Sequence, residues 1–430
     1  MSERVEELFA RRARSMRRSD IRDAFKLTER TDLISLAGGF PAAETFPLAE
    51  LEGVIQRLLE REGGSVFQYG PTEGLGELRA RVAEELTKFG LAFDPEQILL
   101  TSGSQQALDL IGRVFLDPGD VVLVEAPGYV GGLSAFAAYE ARLVGVEMDR
   151  EGLVPSDLER QLHRLSREGA RVKLLYTVPT FQNPTGTCLP VERRAALVEL
   201  AERYGFLIVE DDPYREIWFD SPPPAPLAAG DPTGHVLYLG SFSKVFLPGL
   251  RVGWVAGAPP LLARLALAKQ PADLCSNIFG QKLVEAYLRE GRLEPRKAAL
   301  RREYRERCAA LDGALREVEA PLAWETPSGG FFLWVTLPEG GDARRLTEVA
   351  LREGVAYVAG DAFCVDGGGR RCLRLAFSQS SPERLKEAAI RLGRAIRKHL
   401  AAESRIFSPA GQKGGYDPGP LVGEAGLASS

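Results

Sequence analysis

Ser241-Phe242-Ser243-Lys244 places two hydroxyls and a primary amine within four residues, and a guanidinium follows seven residues later at Arg251. Hydroxyls and a guanidinium hold a phosphate through charge-assisted hydrogen bonds, and a lysine amine condenses with an aldehyde to a Schiff base. The set suits a small molecule that carries both a phosphate and an aldehyde. Apolar runs at 236–239 and 252–256 flank it and read as buried strands, so the reactive groups lie on a loop at a strand end. Ser-x-Ser-Lys is also a common solvated turn, and the rest of the chain has to supply the remaining groups.

Between residues 97 and 256 apolar strands alternate with amphipathic helices. Strands are expected at 98–100, 121–124, 142–146, 172–176, 206–209, 236–239 and 252–256, with helices at 104–116, 129–140, 155–166 and 191–203 between them. Continuous apolar strands separated by helices predict an α/β fold: a mostly parallel, seven-stranded sheet buried on both faces. Ligands of such sheets bind beyond the carboxyl ends of the strands.

Chemistry-bearing residues fall at those ends. Ser104 and Gln105 open the helix after the first strand, where unpaired backbone N–H groups favour a phosphate, although Ser104 also suits a simple helix cap. Tyr129 follows the second strand, and its ring can stack on a flat ligand. Asn183 sits in the N-P-T-G turn after the fourth strand. Asp211 and Tyr214 stand in the E-D-D-P-Y segment after the fifth, whose second aspartate, Asp212, is expected on a solvated face. A carboxylate here can keep a pyridine nitrogen protonated and its ring an electron sink. Arg374 lies between leucines in the run Cys372-Leu373-Arg374-Leu375-Ala376. A buried guanidinium needs a bidentate partner, either a ligand carboxylate or a structural ion pair.

Helices are expected at 259–269 and 277–290, and the elements that follow predict a second, smaller α+β domain: helix 293–317, a strand over 328–335, helix 343–352, strands 355–358 and 372–376, and helix 382–400. Residues 1–45, with short helices at 2–15 and from Ser19, are expected to form an arm joining this domain. Residues 46–290 form the large domain, 291–403 the small one, and the Gly-, Pro- and Ser-rich 404–430 a disordered tail. The 430 residues are 45% hydrophobic and 26% charged with net charge −5, which gives no reason to expect nucleic acid as a partner. No apolar leader or membrane-length apolar run is present, and five scattered cysteines without a C-x-x-C pair read as free thiols in a cytoplasmic protein. The three histidines lack ligand spacing, so no metal is expected.

Over about residues 10–400 the chain resembles the class I and II aminotransferases, fold type I enzymes of pyridoxal 5'-phosphate. The resemblance is closest to the 2-aminoadipate aminotransferase subgroup, related to kynurenine aminotransferases, through Ile21-Arg22-Asp23-Ala24-Phe25-Lys26-Leu27-Thr28 and Leu36-Ala37-Gly38-Gly39-Phe40-Pro41. It implies that Lys244 forms the Schiff base, that Ser104, Gln105, Ser241, Ser243 and Arg251 hold the phosphate, and that Asp211 pairs with the ring nitrogen. Asn183 and Tyr214 would bind the phenolic oxygen, and Tyr129 would stack on the ring. Tyr69 would reach the phosphate of a partner subunit in a homodimer with shared active sites. Arg374 would hold the substrate α-carboxylate and Arg22 a distal one, with Gly39 in an arm across the mouth of the site. The implied reaction moves an amino group from an L-amino acid to a 2-oxo acid, 2-oxoglutarate foremost. Donors would be 2-aminoadipate, glutamate, or a broad set including leucine and aromatic residues. A β-lyase or kynurenine-type reaction on the same groups, or a cofactor-binding regulator without turnover, remain as alternatives.

Overall fold

In the computed structural model, residues 7–15 and 32–407 are described. In chain order the strands are β1 (Ile34–Ser35), β2 (Ile98–Thr101), β3 (Val121–Ala126), β4 (Arg142–Asp149), β5 (Gly152–Leu153), β6 (Val172–Thr177), β7 (Leu207–Asp211), β8 (Val236–Ser241) and β9 (Gly253–Ala256). Then follow β10 (Phe332–Thr336), β11 (Val355–Ala356), β12 (Val358–Ala359) and β13 (Cys372–Ala376).

Strands β2 to β9 form one sheet in the order β2-β9-β8-β7-β6-β3-β4-β5. The core of the sheet is parallel, β9 runs antiparallel to both of its neighbours, and β5 runs antiparallel to β4. Alternating side chains of a strand point to opposite faces. Accordingly Val122 and Val124 of β3 enter one apolar core and Val121 and Leu123 the other; Leu174 and Leu175, Ile208 and Val209, and Val236 and Leu237 divide the same way. Burial on both faces is why these strands read as unbroken apolar runs. The eighth strand goes beyond the expected seven: β5 is two residues long, follows a polar turn, and has no run to announce it.

A smaller sheet, β10-β13-β12, is antiparallel and sets Arg374 opposite both Trp334 and Val358. The apolar stretch expected as one strand at 355–358 is split, since β11 pairs with β1 and β12 with β13. β1 and β11 form a separate two-stranded sheet in which Ile34 aligns with Val355, and Ala376 N–H donates to the Leu36 carbonyl at 2.7 Å. The last helix, Pro382–Phe407, runs further than expected and takes in the first residues of the stretch assigned to a tail. At the other end, only Arg11–Ser15 is helical among the described residues of the stretch 2–15. Among the described residues no helix is long and apolar enough to cross a membrane.

Candidate active site

β8 is buried along its whole length and delivers Ser241 at its carboxyl end. Ser241 Oγ donates to Ser243 Oγ at 2.8 Å and accepts the Ser243 N–H at 3.0 Å, a tight turn that aims both hydroxyls the same way. The chain returns through Arg251, held at a left-handed φ of 55°, into β9, where Ser241 faces Gly253. Gly253 also faces Thr101 of β2, so three strand ends converge. Arg251 Nη1 reaches Ser243 Oγ at 3.5 Å and Nη2 the Ser102 carbonyl at 3.2 Å. Gly103, at φ 75°, caps the helix Ser104–Phe115, and a Cβ there would lie 2.4 Å from Arg251 Nη2. Two hydroxyls, a guanidinium and a helix N-terminus thus come together, with Arg251 packed so close to Gly103 that only glycine fits; the set suits a cradle for a phosphate dianion.

Lys244 is half-buried, and its Nζ lies 5.6 Å from the centroid of the Tyr214 ring and 5.8 Å from that of Phe331. It donates to the Gly39 carbonyl at 3.1 Å. Burial, the Arg251 charge and the more distant Arg374 charge push its amine down to about 8, against the opposing pull of Asp211. About a tenth of the amine is therefore neutral and nucleophilic at pH 7, a far larger share than in an exposed lysine.

Asp211 ends β7 and is buried, its Oδ2 accepting the Tyr176 hydroxyl at 3.0 Å. Its Oδ1 is buried with no hydrogen-bond partner among the described residues. Burial raises the carboxyl to about 7, with the Tyr176 hydrogen bond lowering it and Asp212 raising it. A buried lone carboxylate oxygen is costly and calls for a donor from a ligand.

Asn183 joins two further groups. Its Nδ2 donates to Tyr214 OH at 3.3 Å, and its Oδ1 accepts from Arg374 Nη1 at 3.0 Å. Arg374 is buried; Nη2 donates to the Ala37 carbonyl at 2.6 Å, and the guanidinium lies 4.5 Å from the Phe332 centroid. Its Nε has no partner among the described residues, and burial pulls the group down to about 10. No carboxylate of the described residues pairs with it, so a structural ion pair is not what holds it. Burial pushes the Tyr214 phenol above its usual value.

Ser104 begins its helix at the edge of the cradle, and Gln105 is exposed, turning its amide to the Gly131 carbonyl at 3.0 Å. The Tyr129 ring lies so close over Gly131 that a Cβ there would be 2.4 Å from it. Gly39 belongs to the site through its carbonyl, while Tyr69 stands apart, 77% exposed. Arg22 lies outside the described residues. Asp212 contradicts its expected solvated face: it is buried, paired with Arg215 and bonded by Tyr238 OH at 3.3 Å. Its cation stands three residues later in the turn and its phenol on the neighbouring strand.

Sequence reasoning passed over Glu125, Tyr176 and Gln182. Buried Glu125 accepts from Val178 N–H at 3.2 Å, from Gln182 Nε2 at 2.9 Å and from the Thr177 hydroxyl, which braces the loop bearing Asn183. Burial holds its carboxyl above the ordinary range. A glutamate at the end of an apolar strand was the one available signal.

The profile of the family "Aminotransferase class I and II" matches residues 31–392. The chain belongs to this family. It is 42% identical to aromatic-amino-acid aminotransferase 1 of Thermococcus litoralis, over 92% of this chain and 95% of that one. The solved kynurenine aminotransferase of Pyrococcus horikoshii, in complex with PMP, superposes with TM-score 0.88 at 42% identity, covering 92% and 98% of the two chains. LysN, the α-aminoadipate aminotransferase of Thermus thermophilus complexed with N-(5'-phosphopyridoxyl)-L-leucine, gives TM-score 0.85 at 40% identity over 94% and 100%. The aminotransferase is thus a fold type I enzyme of amino acids, and its cofactor is pyridoxal phosphate. The residues present fit that group: the glycine-lined cradle matches its phosphate, the unsatisfied Asp211 Oδ1 its ring nitrogen, and the Lys244 amine its aldehyde.

Proposed function

We propose that this aminotransferase transfers the α-amino group of an acidic L-amino acid, 2-aminoadipate or glutamate, to 2-oxoglutarate, with leucine and aromatic donors accepted more slowly. The observation that carries the reading is Arg374, a buried guanidinium without a carboxylate partner that faces the same Asn183 as Tyr214. Arg374 takes the substrate α-carboxylate and orients Cα toward Lys244. Lys244 Nζ in its neutral form accepts the proton from Cα; burial and its cationic neighbours enlarge that neutral share relative to an exposed lysine. With the cofactor bound, Asp211 would stay ionised beside the ring nitrogen, and Asn183 and Tyr214 would donate to the phenolic oxygen. Ser104, Gln105, Ser241, Ser243 and Arg251 would hold the phosphate, and Tyr129 would cover the ring. When bound, pyridoxal phosphate supplies the electron-withdrawing ring that stabilises negative charge at Cα.

Acidic preference is assigned to Arg22 as a clamp for the distal carboxylate, in line with the names of the aminoadipate relatives. The active unit is a homodimer in which Tyr69 reaches the partner's phosphate. Tyr69 at 77% and Phe67 at 69% exposure support this surface, with Phe67 stacked on Phe279 at 5.5 Å. The five free cysteines support a cytoplasmic setting. We divide the chain into an arm at 1–45, a large domain at 46–290 and a small one at 291–403.

The test adds 2-aminoadipate, glutamate, leucine, kynurenine and alanine singly to cofactor-loaded protein and follows the visible absorbance. Loss of the visible band is expected fastest with the acidic pair, and Arg22→Ala is expected to slow that pair while sparing leucine. Equal rates for all donors would overturn the substrate assignment, and absence of a visible band after loading would overturn the assigned site.

A further inference from the structure

The cradle is supported from behind by side chains that touch neither of its hydroxyls. Gln106 Oε1 accepts the Ser102 N–H at 2.7 Å, and its Nε2 donates to Asp273 Oδ2 at 2.8 Å. Asp273 Oδ1 accepts from Lys269 Nζ at 2.8 Å, and Ser276 Oγ donates to Oδ2 at 3.3 Å. Lys269 is fully buried, a position that lysine rarely takes without a paired anion. The next peptide, Ser102–Gly103, offers the Ser102 carbonyl to Arg251 Nη2. Hydrogen bonds therefore link Lys269, Asp273 and Gln106 to the Ser102 N–H, and the backbone of Ser102 itself carries the line on to the guanidinium of the cradle.

Geometry makes that line consequential. Gly103 follows Ser102 at φ 75°, and its Cα hydrogens face Arg251 so closely that the loop has little room to shift. Loss of the anchor on Ser102 N–H would free the Ser102 backbone to turn, which swings the following carbonyl from Arg251 and misdirects the first N–H groups of the helix Ser104–Phe115. The amide of Gln106 is itself oriented by its partners: an acceptor must face Ser102 N–H and a donor must face Asp273.

We propose that Gln106, Asp273 and Lys269 are positioning residues for the phosphate half of the site, tuning its affinity for the phosphate dianion without touching it. The proposal rests on the reading that Ser241, Ser243 and Arg251 take the cofactor's phosphate. It separates the two ends of the ligand: these three residues act on the phosphate and leave the amine of Lys244 unaffected.

The experiment measures binding of pyridoxal phosphate and of pyridoxal, which lacks the phosphate, to full-length protein stripped of cofactor. Gln106→Glu sets two carboxylates against each other. It is expected to weaken pyridoxal phosphate about tenfold, the scale of one or two lost hydrogen bonds, and leave pyridoxal unchanged. Asp273→Asn leaves Lys269 without its anion and should act in the same direction. The double variant Q106E/D273N exchanges the amide and the carboxylate and removes the clash of the two carboxylates; it is expected to recover part of the binding lost in Gln106→Glu, with Lys269 still lacking its adjacent anion. Gln106→Leu adds no charge and serves if either single variant fails to fold. Equal weakening of both ligands, unchanged binding of both, or no recovery in the exchanged pair would overturn the proposal. Wild-type protein with no preference for the phosphorylated ligand would instead overturn the assigned cradle, and the proposal with it.

Discussion

Arg374 Nη1 donates to Asn183 Oδ1 at 3.0 Å, and the same amide donates to Tyr214 OH at 3.3 Å. One side chain therefore positions both the buried guanidinium and the phenol. Asn183→Ala leaves Arg374 and Tyr214 without their shared partner. With roughly 1.5–3 kcal/mol for a charge-assisted bond, kcat/KM should fall about 100-fold. A double-mutant cycle with Arg374→Lys should show coupling on the order of 1 kcal/mol, and additive losses would mean the two residues act separately.

The amine of Lys244 is held near 8 by burial and by the charges of Arg251 and Arg374. Its reactivity toward an amine reagent in cofactor-free protein should therefore rise through pH 8 rather than near the ordinary lysine range. Arg251→Gln removes one of those charges, and the midpoint should move up. An unmoved midpoint would leave burial and the Arg374 charge as the causes. Lys244→Ala should abolish turnover, and near-wild-type rates would remove this residue from the reaction.

Asp211, raised to about 7 mainly by burial, gives a pH dependence of stability in cofactor-free protein. A carboxyl whose folded value lies above its unfolded one binds more protons in the native state between the two. Its stabilising contribution is thus full below about 4 and is lost as pH rises through about 7. Asp211→Asn should remove that fall, which chemical unfolding at pH 4.5, 6 and 8 would show. Loading with cofactor should flatten the wild-type dependence, since the lone oxygen then has a donor.

The arm crosses the site on two glycines that differ in what lies against them. A Cβ on Gly39 would meet the Phe332 ring at 2.6 Å, whereas one on Gly38 would meet Gln379 Oε1, the end of a flexible side chain, at 2.1 Å. Gly39→Ala should destabilise by roughly 1–3 kcal/mol and raise KM, because the carbonyl bonded to Lys244 moves with the arm. Gly38→Ala should cost less in thermal unfolding. Equal effects would mean that the ring gives way as readily as the amide.

Much of the site was legible because its residues sit in short segments of distinctive chemistry at the ends of apolar runs. Ser241, Ser243, Lys244 and Arg251 lie within eleven residues of one another, and Asp211 and Tyr214 within four. Asp212 was misread for the opposite reason. Its burial depends on Tyr238, two strand positions along in a neighbouring strand, and on an arginine whose direction no local pattern shows. The same holds for the brace of Glu125 and Gln182, and for Lys269, which reaches the cradle across 167 residues of sequence between Gln106 and Asp273.

The sequence by itself determined the strand and helix alternation, the buried parallel sheet and the chemical identity of the cradle. Apolar periodicity and turn chemistry are local, and local backbone preference reports them directly. Only the tertiary structure decided which side chains share partners: that Arg374 and Tyr214 meet on one asparagine, that Asp211 keeps an oxygen free, and that β5 closes the sheet. Those outcomes depend on register between segments far apart in the chain, and on burial removing water as the competing partner, which no single stretch of residues encodes.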